Sequence, residues 1–336
     1  MIERITGKDP GITLLRAIAM LMIVLCHLCS FWGVPAFLSQ FFNVGVNIFL
    51  IISGWLYIEK DTSHPHWIFD RWKKLCIPIL LWVIIVDAIS ICFYKSSIGL
   101  RDFSLLFFNM QGLSWIHPIF PSLSGNGVVA GLEHLWFVSI IFCCYLLIAD
   151  KRIKSNSTVA LIVFIIFALC LSLFQISLFC FVSFFIGCVL KRMSLDNNWK
   201  TIILSILLII AAVAIRICGR HFYDDTTFYN ITIAGFSHSL LATGLFVLIY
   251  GLISLHSSFR LLAASWIVVQ SDKLSYFIYI THYFFLCKQF NLATGIPRVV
   301  PQTLTFLGLT IVSALALRWC SIQATSILNS LLPQKH

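Results

Sequence analysis

The stretch LLRAIAMLMIVLCHL, residues 14–28, is an apolar run that Arg16 and His27 interrupt. In an α-helix eleven residues make about three turns, so these two side chains share one face and lie about 16 Å apart along the axis. Ionisable side chains are costly inside a bilayer and usually face a cavity or a partner. Arg16 could instead reach the lipid headgroups, and His27 could be an interfacial residue. The shared face favours a membrane helix with a functional stripe.

The chain has the composition of an integral membrane protein. Of its 336 residues, 60% are hydrophobic and 11% are charged, whereas a soluble domain carries about a quarter charged residues. The apolar runs predict an all-α fold, with a single membrane domain over residues 1–336 and about ten transmembrane helices. We expect 101–116 to be an interfacial or re-entrant segment and 261–269 a short surface helix. The predicted spans are 12–32, 37–58, 75–94, 134–149, 157–173, 175–190, 201–217, 231–254, 274–290 and 303–320.

The net charge of +10 reflects membrane topology rather than nucleic-acid binding. When ten spans are drawn, most Lys and Arg residues fall on the side that holds the N-terminus. By the positive-inside rule, both termini are then cytoplasmic. We therefore expect the lipid bilayer as a partner and no nucleic acid. The 12 cysteines lie mostly within spans, where Cys acts as a small apolar residue, and no metal site is expected.

Three further segments carry polar residues at marked positions. The second predicted span contains GVNIFLIISGWLY, residues 45–57. The fourth begins with HLWFV, residues 134–138, and the ninth reads LSYFIYITHYF, residues 274–284. Together with the spacing of Arg16 and His27, these segments resemble, in order, four motifs of the acyltransferase-3 family. The matching elements are the Arg-x10-His helix, a glycine-led segment ending in Ser-Gly-aromatic, a His-x-Trp entry and a late Tyr-x-x-His.

This resemblance covers nearly the whole chain and implies a multi-spanning acyltransferase that modifies cell-surface glycans. Thr13 replaces an Asp found in many members, and Ile141 replaces a Glu found in many long members. Both differences resemble the shorter branch, which contains O-acetyltransferases of enterobacterial common antigen and of O-antigen lipopolysaccharide. The resemblance therefore implies a multi-pass protein of the bacterial inner membrane. It also implies acetyl-CoA as the acyl donor and a lipid-linked or surface glycan as the acceptor.

Transfer of an acyl group from a thioester to a sugar hydroxyl needs a base, oxyanion donors and a hold on the donor. Histidine suits the base, because its pKa lies near 7, and we expect His27 to be that base or a transient acyl carrier. Ser53, Asn47, Tyr279 or the backbone at Gly54 could donate to the oxyanion, and the sequence does not choose among them.

Coenzyme A carries phosphates, so basic residues are candidates for donor binding. Arg16 could pair with a phosphate or orient the pantetheine arm. Arg71 and Lys74, with Lys73 between them, could form a phosphate funnel at the membrane surface. These three charges could equally be ordinary positive-inside residues.

The later motifs supply the remaining candidates. His282, in the ninth span, is a second catalytic candidate, although it could be a packed histidine that bonds to a neighbouring helix. Glu133 and His134, with Trp136 beside them, could bind the sugar or assist His27. The alternative for His134 and Trp136 is anchoring at the membrane interface.

A polysaccharide or precursor transporter is the alternative function, in which intramembrane His and Arg form a relay. A transporter does not need this set of motifs, and paired broken helices are not evident in the sequence. The sequence therefore favours an O-acetyltransferase, without naming the sugar, the hydroxyl or the exact short acyl chain.

Overall fold

The computed structural model describes residues 9–94, 132–150, 178–193, 195, 198–223, 228–286, 296 and 298–331. Within these residues the fold is all helical, as predicted, and contains no strand. Short 3₁₀ segments cover Gln40–Asn43, Glu133–Leu135 and His282–Leu286, and a π-helical turn covers Tyr229–Ile233. The α-helices are α1 (Pro10–Phe31), α2 (Ala36–Ser39), α3 (Val44–Tyr57), α4 (Trp67–Tyr94), α5 (Trp136–Ala149), α6 (Leu178–Arg192), α7 (Trp199–Tyr223), α8 (Ala234–Leu255), α9 (Ser257–Ala263), α10 (Trp266–Thr281) and α11 (Val299–Leu331).

Helix α1 begins at a built N-cap. The Asp9 carboxylate accepts hydrogen bonds from the backbone N–H of Gly11 at 2.7 Å and of Ile12 at 3.4 Å. Pro10 occupies the first helical position, where its missing N–H costs nothing. The Tyr250 hydroxyl also donates to Asp9 at 3.0 Å, which ties the start of α1 to α8. The chain leaves the helix through Gly33, whose φ of +74° is the left-handed conformation that glycine adopts freely.

Six helical segments of the described chain are long and apolar enough to cross a membrane. They are Pro10–Phe31, Ala36–Tyr57, Trp67–Phe93, Trp199–Tyr223, Ala234–Leu255 and Val299–Leu331. The predicted spans 134–149 and 175–190 correspond to the shorter helices α5 and α6. The predicted span 157–173 and the predicted interfacial segment 101–116 lie outside the described residues.

Several helices have other bounds than the predicted membrane spans. Helix α4 begins at Trp67, whereas the predicted span begins at 75. The prediction rested on hydropathy, which excludes the charged first turns of this helix. Helix α11 likewise extends beyond 303–320 at both ends. The predicted surface helix 261–269 is divided, because α9 ends at Ala263 and α10 begins at Trp266. In the predicted span 274–290, the α-helix ends at Thr281 and a 3₁₀ segment follows it.

The chain divides into two compact units. The first unit comprises Met1–Thr62 and Leu147–Ser275, and the second comprises Ser63–Leu146 and Tyr276–His336. In the first unit, α3 packs against α1, α6 and α8, and α7 packs against α8. Its main core cluster consists of Ile12, Leu15, Ala19, Val44, Ile48, Ile51, Ile52, Trp55, Ala212, Leu241, Ala242, Phe246 and Val247.

Glycines allow α3 to approach its neighbours closely. A Cβ on Gly45 would overlap the backbone carbonyl of Ala19 on α1, and a Cβ on Gly54 would overlap the carbonyl of Phe184 on α6. Reciprocally, a Cβ on Gly187 of α6 would overlap the carbonyl of Ile51. Small residues are the usual means of close helix packing in membranes. The glycines of the GVNIFLIISGWLY segment therefore serve packing.

In the second unit, α11 packs against α4 and against the 3₁₀ segment His282–Leu286. The Trp82 ring lies edge-on to Phe284, with centroids 5.5 Å apart. The Tyr276 hydroxyl donates to the backbone carbonyl of Leu75 at 2.7 Å. These contacts hold the segment that follows Tyr276 against α4.

Candidate functional site

The helix predicted to carry Arg16 and His27 is present in the structure. Helix α1 is continuous from Pro10 to Phe31, so Arg16 and His27 are on one face and about 16 Å apart along the axis. Both side chains are only partly buried. The first unit thus carries an arginine near one end of α1 and an imidazole near the other.

Arg16 forms an ion pair with Asp272 of α10. Its Nη1 donates to the Asp272 Oδ1 at 3.3 Å. The Asp272 side chain is 1% exposed and the Arg16 side chain is 28% exposed, so the carboxylate is the buried partner. The Arg16 guanidinium has five N–H donors, and the bond to Asp272 is the one hydrogen bond it makes to the described residues. The pair fixes the position of Arg16 and leaves donors for another anion.

Arg16 also lines a cavity of about 300 Å³ at the start of α1 and the end of α3. The Asp9 carboxylate on its wall already accepts bonds from the α1 N-terminus and from Tyr250. Arg16 and Lys60 supply two cations, which favours a ligand with an anionic group. We call this space the Arg16 cavity; its lining residues are Asp9, Ile12, Thr13, Arg16, Leu56, Tyr57 and Lys60.

Asn47 lies in a buried polar cluster between α3, α6 and α8. Its Nδ2 donates to the Ser183 hydroxyl at 2.8 Å and to the Ser239 hydroxyl at 3.4 Å. The two hydroxyls are 2.9 Å apart and bond to each other. These bonds link three helices of the first unit. They also use both Nδ2–H groups of Asn47, which was predicted as an oxyanion donor. Ser53, a half-buried residue of α3, stays a predicted oxyanion donor.

The second unit brings together two motifs that are 145 residues apart in sequence. The His134 Nε2–H donates to the Tyr279 carbonyl at 2.6 Å, and the Tyr279 hydroxyl donates to the His134 carbonyl. His282 donates through Nδ1–H to the carbonyls of Ile278 at 3.0 Å and Tyr279 at 2.9 Å. The two imidazole rings have centroids 5.0 Å apart.

These bonds set the tautomers of the two histidines. A carbonyl oxygen only accepts, so the proton sits on Nε2 of a neutral His134 and on Nδ1 of a neutral His282. The basic lone pair is then on Nδ1 of His134 and on Nε2 of His282. Both residues are buried, with 4% and 0% exposure. The arrangement orients two imidazoles so that each has a defined basic nitrogen.

The order of these motifs along the chain agrees with one family. The family model described as an acyltransferase domain, acyltransferase 3, matches residues 9–320. The chain belongs to the acyltransferase-3 family. It is a multi-pass membrane protein with an acyltransferase domain. Comparisons with curated proteins and with solved structures gave no match.

The other predicted residues of this acyltransferase are placed as follows. Arg71, in the second turn of α4, lies 5.8 Å from the centre of the Trp67 ring. Lys74 is exposed on the same helix, and Lys73 pairs with Asp70 at 3.0 Å. The side chains of Glu133 and Trp136 lie outside the described residues.

Sequence reasoning missed two residues of the Arg16 cavity region. No sequence pattern marked Asp272, because its partner Arg16 is 256 residues away. Asp272 also lies two residues before the LSYFIYITHYF segment and is not part of it. Lys60 resembled an ordinary positive-inside charge. No group of three or more His, Cys, Asp or Glu residues in the described ranges could hold a metal ion.

Proposed function

We propose that this acyltransferase is an O-acetyltransferase of a bacterial cytoplasmic membrane. It moves an acetyl group from cytoplasmic acetyl-CoA to a hydroxyl of a surface polysaccharide or its lipid-linked precursor, such as an O-antigen, common-antigen or capsule unit. The observation that carries the proposal is the arrangement on α1, where Arg16 lines a cavity near one end and His27 lies near the other.

The Arg16 cavity is the proposed entrance for the donor. With the N-terminus cytoplasmic, as the distribution of charge predicts, the cavity faces the compartment that holds acetyl-CoA. Arg16, held by Asp272, and Lys60 bind phosphate oxygens of the donor. The cavity is smaller than a whole coenzyme, so only part of the donor is bound inside it.

His27 is the proposed general base. An extended pantetheine arm is of the same order of length as the separation of Arg16 and His27, about 16 Å along the helix. The thioester carbonyl then lies near His27 when a phosphate is near Arg16. His27 takes the proton of the acceptor hydroxyl as that oxygen bonds to the carbonyl carbon. The C–S bond breaks, and the coenzyme A thiolate leaves and takes up a proton.

The roles proposed for the remaining predicted residues rest on the sequence motifs. Of the predicted oxyanion donors, Ser53 is the one we assign here, because both Asn47 Nδ2–H groups and the Tyr279 hydroxyl already donate to other groups. His282, whose Nε2 carries the lone pair, is a second group that can accept a proton. In the second unit, Glu133, His134 and Trp136 are the candidates for contact with the sugar, and Arg71 and Lys74 are the candidates for positive potential toward the donor.

The proposal is tested on surface polysaccharide from cells with and without the gene. The deletion strain is complemented with wild type, His27→Ala or His221→Ala, and His221 is an exposed histidine of α7. Mass spectrometry measures an increment of one acetyl group that mild alkali removes. We expect it with wild type and His221→Ala and its loss in His27→Ala at equal membrane expression. No increment in any strain, with altered glycan length or export, would contradict the proposal and favour a transporter.

A further inference from the structure

A second arginine of the first unit is more deeply buried than Arg16. Arg216, on α7, is 3% exposed although α7 is one of the helices apolar enough to span a membrane. One turn further, Arg220 is half-buried on the same face. Like charges four residues apart on a helix repel each other. A buried cation with a cationic neighbour is an expensive arrangement in apolar surroundings.

Apart from Arg220, the groups described around Arg216 are a histidine and aromatic rings. Its Nη1 lies at Nε2 of His238, a ring that is 8% exposed, and the same Nε2 lies 2.9 Å from the Gln40 carbonyl. The carbonyl oxygen only accepts, so an Nε2–H that donates to Gln40 has no lone pair left for Arg216. The guanidinium carbon lies 4.6 Å from the centre of the Phe41 ring. The Arg220 guanidinium carbon lies 4.5 Å from the centre of the Phe37 ring. We call Arg216, Arg220, His238, Phe37 and Phe41 the Arg216 cluster.

Arg216 pairs with no carboxylate among the described residues, and its Nε has no hydrogen-bond partner among them. Aromatic faces offset part of the desolvation of a guanidinium, by about 0.5–2 kcal/mol each. A full counter-charge would offset far more. Buried charges in membrane helices mark substrate or ion sites by default. The cluster thus has the charge and the donors to hold an anion.

The location of the cluster points to an anion that is carried on lipid. Gln40 and Phe41 precede α3, whereas the Arg16 cavity lies where α3 ends, so the two places are at opposite ends of that helix. The 3₁₀ segment Gln40–Asn43 packs against α1. The outer face of α7 exposes apolar side chains that suit contact with acyl chains. They include Ile203, Leu207, Ile210 and Ile217.

We propose that the Arg216 cluster binds a phosphate group carried on a lipid. The planar guanidinium fork matches phosphate oxygens, and two guanidiniums one turn apart suit a diphosphate. If the proposed function holds, the natural source is the diphosphate of a lipid-linked sugar, which would bring the acceptor to the end of the unit opposite the Arg16 cavity. The headgroup of a bilayer phospholipid has the same chemistry and is the other source.

The test measures lipid binding to the purified protein in phosphatidylcholine nanodiscs, without any acyl donor. The probes are a fluorescent polyprenyl diphosphate, the matching polyprenol and a fluorescent phosphatidylglycerol. We expect the wild type to bind at least one phosphate-bearing probe about tenfold more tightly than the polyprenol, and Arg216→Gln to lose that preference. Preference for the diphosphate identifies a lipid-linked sugar as the source, and equal binding of phosphatidylglycerol identifies a headgroup.

Two controls separate this site from general charge and from misfolding. Arg260→Gln removes an exposed arginine of the same unit and should leave binding unchanged. Arg220→Gln, at the less buried position, should weaken phosphate binding about threefold or more, even if Arg216→Gln fails to fold. Equal affinity of the wild type, Arg216→Gln and Arg220→Gln for every phosphate-bearing probe would overturn the proposal. Because no acyl transfer is measured, the site can stand when the proposed acetyl transfer fails.

Discussion

Two arginines of the first unit show opposite solutions to placing a cation in a membrane protein. Arg16 is partly exposed, paired with the buried carboxylate of Asp272 and open to a cavity. Arg216 is buried, lies beside the His238 imidazole and lies near aromatic rings. The first is held in place by a fixed counter-charge, whereas the second has none among the described residues.

The difference indicates different roles. A guanidinium that a carboxylate already neutralises can orient a ligand with its remaining donors. A buried guanidinium with no carboxylate among the described residues can take an anionic ligand as its counter-charge. We therefore assign Arg16 to positioning of the donor and Arg216 to recognition of the acceptor side, with His27 as the chemical group between the two ends. Each of the following variants tests one part of this assignment.

His27→Ala should separate chemistry from binding. Removal of a general base lowers kcat by about a thousandfold, because a positioned base contributes about 10²–10⁴. The affinities for acetyl-CoA and for the polyprenyl diphosphate should be unchanged, since His27 is not assigned to either binding site. The measurement is transfer of radiolabelled acetyl groups, with His221→Ala as the control. A large loss of donor affinity in His27→Ala would show that the residue acts in binding instead.

Arg16→Ala should affect the donor end alone. Loss of a charged contact to a phosphate raises the KM for acetyl-CoA by about a hundredfold, about 2.7 kcal/mol. Polyprenyl diphosphate binding should stay at the wild-type level. Steady-state kinetics with varied donor measure the effect, and Arg260→Gln is the matched control. An unchanged KM for acetyl-CoA in Arg16→Ala would show that Arg16 does not bind the donor.

Asp272→Asn should have a smaller effect of the same kind. The amide keeps the shape of the carboxylate but not its charge, so Arg16 is less firmly placed and the KM for acetyl-CoA rises about tenfold. Because Asp272 acts through Arg16, kcat should change little. The Arg16→Ala and Asp272→Asn double variant should be no worse than Arg16→Ala alone. Additive losses would indicate that Asp272 has a separate role.

Phe41→Leu should weaken phosphate binding by the Arg216 cluster and leave donor binding unchanged. Leucine fills the space of the ring but lacks its negative face, so phosphate binding by the Arg216 cluster should fall about threefold, because the less stabilised guanidinium is less well placed. The KM for acetyl-CoA should not change. The nanodisc binding assay measures the effect, with Phe37→Leu as a parallel variant beneath Arg220. A raised donor KM would instead indicate that the two ends are not independent.

The sequence predicts the membrane helices better than it predicts their contacts. Helix α1 was expected at 12–32 and spans Pro10–Phe31, because a long apolar run has few alternatives and Asp9 caps it. Helix α4 began eight residues earlier than expected, since its first turns are charged yet remain helical. Hydropathy marks the apolar part of a helix, and it does not show how far the helix continues into charged residues.

The motifs marked individual side chains but not the partners that the structure gives them. His134 and Tyr279 were each marked by a motif, and the structure joins them through reciprocal side-chain and backbone hydrogen bonds. The bond between Arg16 and Asp272 depends on how two distant helices pack, so no local pattern announces it. The same holds for Arg216 and His238, which lie on neighbouring helices and match no motif.

The most direct test of the account is a cryo-EM map of the protein with a non-hydrolysable acetyl-CoA analogue. The account predicts phosphate density in the Arg16 cavity, beside Arg16 and Lys60, and an arm that runs along α1 with its acyl end at His27. A coenzyme bound away from α1, or an acyl end far from His27, would contradict the central claim.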